Sequence, residues 1–556
     1  MHMPRIAVPR ILATVVVPGI AAFITISACA AAQAPERRAA VSAPRAQAQQ
    51  GQRPSLVVFI TIDQLRADYF DRFGGQLTGG LKRLREGGAF FKNGFHDHAI
   101  TETAPGHAAT MSGRFPVRTG VVMNSQGVNG VPDGQVIGGR ASETASPARF
   151  RGTVLTDWMR SANSGTKWLS VSRKDRGAIL PLGKNKGNVY WYYSSGEFTS
   201  STYYMDTLPS WVKAFNAQKI PHSYAGKFWS LLKPPSSYDE PDSVGVEALA
   251  GGFDIAFPHP FPIDPSRAAA IFPNYPMMDE HTLAFALRGV REMQLGAEAN
   301  RTDMLAVSLS TTDAVGHRFG PDSREVRDQI LRLDQYLGAF LDSLSAIRGA
   351  GRLLVALTSD HGVAPFPTLK STLYPNGEAK RVSLDLPWQA FIRRLDDLGI
   401  DTTAVDLDEG MVFVTKPNAF GRNAAATDAL FADLARDFRR VQGVLRVDQM
   451  RDLARADTVR DAIARRWLHM FSPTSNVRLI ATLTPYSYWL PVTFATHGSP
   501  HDADAQVPVL FWGAGVVPGQ HDDVVRVVDM APTLAAILGV RPAEALDGRV
   551  LTKVVR

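Results

Sequence analysis

The chain has 556 residues and a formal net charge of +7, with 45% hydrophobic and 20% charged residues, the mix of a large soluble α/β domain with insertions or of two domains. Part of the positive charge sits in the N-terminal segment (Arg5, Arg10, Arg37, Arg38, Arg45, Arg53), and no Lys/Arg run with interleaved aromatics follows, so no nucleic-acid partner is expected. A single cysteine, Cys29, excludes a disulfide scaffold.

Residues 1–32 read as an export signal: Arg5 and Arg10 open it, Ile11 to Ile26 form its apolar stretch, and small residues close it. Ile26-Ser27-Ala28-Cys29 resembles a bacterial lipoprotein signal, making Cys29 a candidate lipid anchor; cleavage near Ala32 is the other reading. The expected location is the periplasm or outside the cell, as a free protein or as an outer-membrane lipoprotein. Residues 33–54, rich in Ala, Gln, Pro and Arg, read as a disordered tether. Residues 55–556 are expected to form the catalytic domain. No later run reaches the roughly 18 apolar residues of a membrane span.

Leu56-Val57-Val58-Phe59-Ile60 predicts a buried strand ending at Asp63, and a helix follows near Leu81 to Arg85. Met304 to Leu309 is a second strand, with Asp313 and His317 behind it. Residues 323–346 predict a long amphipathic helix through Val326, Ile330, Leu333, Leu337, Phe340 and Leu344, a stripe that is core packing. Leu353 to Leu357 is a third strand, followed by Asp360 and His361. Alternating strands and helices imply a mainly parallel sheet flanked by helices on both faces. Residues 186–260, which include Tyr190-Trp191-Tyr192-Tyr193, and 380–475, with amphipathic helices expected around Met411 to Val414, read as insertions capping the site.

Asp63, Asp313, His317, Asp360, His361 and, in Thr496-His497-Gly498, His497 bring carboxylates and imidazoles to strand ends, where open α/β sheets place their sites. That donor set suits zinc, and the count suits a two-metal hydrolase. Thr101-Glu102-Thr103-Ala104-Pro105-Gly106-His107 opens an expected helix, whose N-terminus favours phosphate. Thr103 there is either a nucleophile activated by a metal or an ordinary N-cap. His107 reads as structural, and His96 and His98 as surface residues. Asp502 and Asp504 read either as groups orienting a ligand or as solvated loop acids.

Thr103-x-Pro105-x-His107, Asp313-x-x-x-His317, Asp360-His361 and Thr496-His497-Gly498, in this order, resemble the alkaline phosphatase superfamily, in its type I phosphodiesterase/nucleotide pyrophosphatase-like branch. The resemblance implies an alkaline-phosphatase-like fold and two Zn2+. One would be held by Asp313, His317 and His497, the other by Asp63, Asp360 and His361, with Thr103 bound to the second as the nucleophile. Asn124 and the segment Lys174-Asp175-Arg176-Gly177-Ala178-Ile179 resemble the PafA/PhoK type of bacterial alkaline phosphatase. This implies that Asn124, Lys174 and Arg176 bind the substrate. A phosphate monoester carries one more anionic oxygen than a diester, and paired cations suit it. Ser125-Gln126 departs from the polar-aromatic pair usual after that Asn.

The expected activity is therefore zinc-dependent hydrolysis of small phosphate monoesters through a phosphothreonine. A phosphodiesterase or nucleotide pyrophosphatase on the same scaffold is the alternative. A sulfatase is disfavoured because Thr103 and His107 stand where that family has Cys or Ser and Arg. A non-catalytic metal-binding lipoprotein is disfavoured because every ligand position and Thr103 are filled. The sequence gives no oligomeric state.

Overall fold

A computed structural model describes residues 53–245, 247, 254–366 and 379–556; the export signal, Cys29 and all but the end of the tether lie outside them. The main sheet contains β1 (Leu56–Ile62), β2 (Ala89–Phe95), β3 (Trp168–Ser172), β4 (Asn188–Tyr193), β5 (Glu197–Thr199), β6 (Asp303–Leu309), β7 (Leu353–Thr358), β8 (Gln506–Gly513), β9 (Gly519–His521) and β10 (Val525–Arg526). Across the sheet the order is β9-β2-β8-β7-β1-β6-β3-β4-β5, with β10 also paired to β2. The five central strands, β7 to β4, are parallel, whereas β8 runs antiparallel to β7 and β2, and β5 antiparallel to β4.

β1 shows why the centre is parallel. Every one of its seven residues is buried, as expected of a strand covered on both faces. Its side chains alternate between two cores: Leu56, Val58, Ile60 and Ile62 pack with the helix Arg324–Arg348, and Val57 and Phe59 with the helices Thr103–Ser112 and Met530–Leu538. Register Leu56↔Leu353 on one side and Leu56↔Asp303 on the other brings the C-terminal ends of β7, β1 and β6 level. The long helix begins at Arg324, capped by Ser323, whose Oγ accepts from Val326 N at 3.2 Å.

Two expectations of the sequence change here. Tyr190 to Tyr193 are not insertion residues: they belong to β4, where Tyr190 and Trp191 are buried on opposite faces of the main sheet. Met411–Val414 is a strand. It lies in a four-stranded antiparallel sheet, ordered Val405–Asp408, Met411–Val414, Val477–Leu483, Val444–Gln449, and the flanking amphipathic helices are Asp385–Asp397 and Ala424–Arg439. A short apolar run carries no helical period of its own, and pairing with neighbours decided it.

This second sheet reaches the body beside the segment Thr101 to His107. Met411, Phe413, Met450 and Trp467 share one core with Ala99, Ile100 and Met123. Asp97, 4% exposed, secures the junction: its carboxylate meets Arg465 Nε at 3.0 Å, Arg526 Nε at 3.1 Å and Arg466 Nε at 3.6 Å. Asp97→Ala would take from the buried Arg466 one of its two carboxylate partners, leaving Asp502, and would remove the carboxylate that Arg465 and Arg526 meet. Unfolding in urea should show a loss of about 2 kcal/mol, less than for a fully buried pair because Arg526 is partly exposed.

Candidate active site

Asp63 follows β1, Asp313 and His317 lie on the helix Thr311–Phe319 that follows β6, and Asp360-His361 follow β7, so adjacent parallel strands deliver these ligand-type residues to one edge. His497 arrives on a loop far along the chain. The side-chain donors of Asp63, Asp360 and His361 lie within 4.8 Å of one another, as do those of Asp313, His361 and His497. His317 joins the second group, with Nε2 3.1 Å from Asp313 Oδ1 and its ring centroid 5.0 Å from that of His497. The His361 ring stacks on His497 at 3.5 Å, so the two groups form one continuous cluster.

The three histidines are aimed alike. Nδ1 of His317 faces Ala495 O at 2.5 Å, Nδ1 of His361 faces Gly362 O at 2.9 Å, and Nδ1 of His497 faces Thr101 O at 2.8 Å. A carbonyl can only accept, so each Nδ1 carries the proton and each Nε2 presents a lone pair towards the carboxylates, the tautomer a metal requires. Nε2 of His361 is buried with no hydrogen-bond partner. Burial pushes the His361 and His497 imidazoles towards their neutral, ligating form. These residues fit metal ions: buried carboxylates converge with imidazole Nε2 atoms, and that of His361 has no other partner.

The carboxylates differ in their settings. Burial, reinforced by Asp313 and Asp360, pushes Asp63 well up despite Lys174. Burial also opposes the charge on Asp313 and Asp360, but Lys174 and His317 outweigh it for Asp313, and His361 and His107 for Asp360, so both stay below the usual carboxylate range. Lys174 Nζ is 2.6 Å from Asp63 Oδ2, 2.7 Å from Asp313 Oδ2 and 3.3 Å from Thr103 Oγ1. One ammonium against three buried carboxylates leaves negative charge for cations to balance.

Thr103 is the first residue of the helix Thr103–Ser112, and the N-cap position is Glu102. Its hydroxyl therefore does not cap the helix; its one side-chain partner is Lys174. The helix can come this close to Asp360 because Gly106 faces it: a Cβ there would lie 2.2 Å from Asp360 O. His107 stands behind, with Nδ1 2.9 Å from Thr103 O and 3.2 Å from Asp360 Oδ2, and Nε2 2.9 Å from Ser308 Oγ. Asn124 Oδ1 accepts from Ala104 N at 2.9 Å and its N–H donates to Glu102 Oε2 at 2.6 Å, which leaves its NH2 group for a substrate oxygen. Lys174 caps the helix Asp175–Ile179, directly after β3, and Arg176 is in its first turn. Arg176 lies within electrostatic reach of Glu102.

Other residues lie differently from expectation. His96 and His98 are not on the surface; each is 1% exposed, and His96 Nε2 donates to Ser359 O at 2.8 Å, immediately before Asp360. Burial holds the His96 imidazole down at about 4, so it is neutral. Asp504 is buried, its Oδ2 accepting from Ser499 N at 3.0 Å and Ser499 Oγ at 2.6 Å, two residues beyond His497; burial pushes its carboxyl up to about 6. Asp502 pairs instead with Arg466 at 2.8 Å and is 71% exposed. Glu102 and Gln64 carried no expected role. Glu102 ties Asn124 to the start of the helix Thr103–Ser112, and Gln64 touches both Asp313 and Asp360.

The strand order and the placement of the site at the ends of parallel strands define an alkaline-phosphatase-like α/β fold. A solved structure of alkaline phosphatase PafA superposes with a TM-score of 0.80 at 26% identity, covering 91% of this chain and 100% of that one. A PafA variant substituted at a threonine, an asparagine, a lysine and an arginine gives 0.81. The type I phosphodiesterase / nucleotide pyrophosphatase family model matches residues 57–413, and the chain belongs to that family. Its relatives include alkaline phosphatase PhoV of Synechococcus elongatus, 33% identical over 91% of this chain and 93% of that protein. Alkaline phosphatase PhoK of a Sphingomonas species is 30% identical over 90% and 91%.

Asp504→Ala would free Ser499 and loosen the loop that carries His497. Loss of such a supporting contact is expected to lower kcat/KM by about 10–100-fold, measured on an aryl phosphate, while circular dichroism stays that of the folded protein.

Proposed function

We propose that the chain is a zinc-dependent phosphate monoester hydrolase that works through a phosphothreonine on Thr103. The observation that carries this reading is the position of Thr103 Oγ1: first in a buried helix, 3.3 Å from Lys174 Nζ, beside two sets of metal-type donors. The relatives' shared description as alkaline phosphatases supports the same activity.

Zinc would be held by Asp313, His317 and His497 in one set and by Asp63, Asp360 and His361 in the other; bound there, it supplies positive charge and Lewis acidity to phosphate and hydroxyl oxygens. Thr103 Oγ1 gives up its proton to solvent water and attacks phosphorus in line. The bond from phosphorus to the leaving oxygen breaks as the new P–Oγ1 bond forms, and the leaving alcohol takes a proton. Water then attacks the phosphothreonine from the opposite side, the P–Oγ1 bond breaks, and Thr103 regains its proton with release of inorganic phosphate. Through both steps the positive end of the helix Thr103–Ser112, which Thr103 opens, would favour the negative charge of the phosphoryl group. Asn124, Lys174 and Arg176 supply a donor and two cations for the nonbridging oxygens, where a loose transition state concentrates charge.

Localisation and partners belong to the same proposal. Residues 1–32 would export the protein, Cys29 would anchor it where lipidated, and its partners would be small phosphate monoesters.

Thr103→Ala, or removal of metal by a chelator, should abolish turnover of an aryl phosphate monoester. Lys174→Ala and Arg176→Ala should each lower kcat/KM for the monoester by about 10²-fold or more and for the matching diester much less. Equal losses on both substrates would remove these two residues from monoester recognition. A wild-type enzyme that prefers the diester would instead be a phosphodiesterase on this site.

A further inference from the structure

Gln64 is a polar side chain beside the cluster that neither the ligand sets nor the phosphate contacts use. It is 1% exposed and follows Asp63 directly. Its Nε2 donates to Asp313 Oδ1 at 3.1 Å, and its backbone N–H to Asp360 Oδ1 at 3.2 Å. These two carboxylates belong to different ligand sets. We infer that Gln64 is the positioning residue that fixes the carboxylate of Asp313 in the set with His317 and His497, while its own backbone fixes Asp360 in the other set. This rests on the two-zinc reading above.

Three features support the assignment. Asp313 can only accept, so the amide must present its NH2 group to it; the opposite orientation would set oxygen against oxygen. Asp313 Oδ1 is also the oxygen 3.1 Å from His317 Nε2 and 3.8 Å from His497 Nε2, the one on the metal side, whereas Oδ2 is turned to Lys174. A fixed donor on Oδ1 therefore sets which lone pair faces an ion. The backbone of Gln64 is left-handed, with φ +68°, a costly conformation for a side chain of this kind. It is held by the neighbouring contacts, Asp63 N to Leu309 O at 2.9 Å and Leu65 N to Ser359 Oγ at 2.8 Å. That conformation turns the backbone N–H to Asp360 and the side chain across the helix Thr311–Phe319. The helix leaves room for it at Gly316, where a Cβ would sit 1.9 Å from Gln64 Oε1.

The two contacts are separable, because substitution of the side chain removes the bond to Asp313 and keeps the backbone bond to Asp360. The test is a calorimetric titration of chelator-stripped, full-length protein with Zn2+, for the wild type, Gln64→Met, Gly316→Ala and, as a marker of one set, His317→Ala. Circular dichroism checks that each variant is folded. Gln64→Met should weaken one zinc equilibrium by about 10–100-fold, the same one that His317→Ala weakens, and leave the other at its wild-type value. Gly316→Ala, whose Cβ displaces the amide while residue 64 stays Gln, should reproduce this split and decides the matter if Gln64→Met does not fold. Wild-type affinity at both equilibria, or equal weakening of both, overturns the inference. A wild-type protein that binds fewer than two zinc ions overturns the two-zinc reading itself.

Discussion

Three buried carboxylates set the terms for everything around them. Asp63 and Asp360 have no exposure and Asp313 4%, and all three converge at the ends of adjacent strands. Such a concentration of negative charge away from water is unstable without compensation. The body of the protein supplies one ammonium, from Lys174, and then three imidazoles, of which burial pushes those of His361 and His497 towards the neutral form. The remaining deficit is what makes the cluster a site for cations rather than a buried salt bridge.

The surrounding architecture serves to keep those groups from relaxing. Parallel pairing of β1 with β6 and β7 fixes where the carboxylates emerge, and the packing of both faces makes that register hard to shift. Backbone carbonyls of Ala495, Gly362 and Thr101 orient the three rings. His107, His96 and Asp504 act one layer further out, on Thr103 and Asp360, on Ser359, and on the loop of His497. The antiparallel sheet beyond residue 400 closes against Ile100 and Met123, on either side of the helix Thr103–Ser112 in the chain.

Much of the site was legible in the chain because chemistry of this kind uses residue types that are poor choices elsewhere. Asp360-His361 after a five-residue apolar run is hard to explain as core, and the same holds for Asp63 after Leu56 to Ile60. Gln64 and Glu102 give no such signal, and Asp504 reads equally as a group orienting a ligand and as a solvated loop acid. An amide or an acid beside a turn is ordinary, and these matter only through partners 5 to about 300 positions away. His96 and His98 were misplaced for the same reason: no local pattern shows that the end of β2 turns inward beneath Ser359.

The sequence by itself determined the strands around the site, the long amphipathic helix and the identity of the donor groups, since hydrophobic period and residue chemistry are local properties. Tertiary structure decided that Met411–Val414 is a strand and that Tyr190–Tyr193 belong to the main sheet, because a short apolar run takes its form from the neighbours it pairs with. It also decided which oxygen of Asp313 faces His317 and which faces Lys174. Such directions depend on hydrogen bonds between segments that only folding brings together.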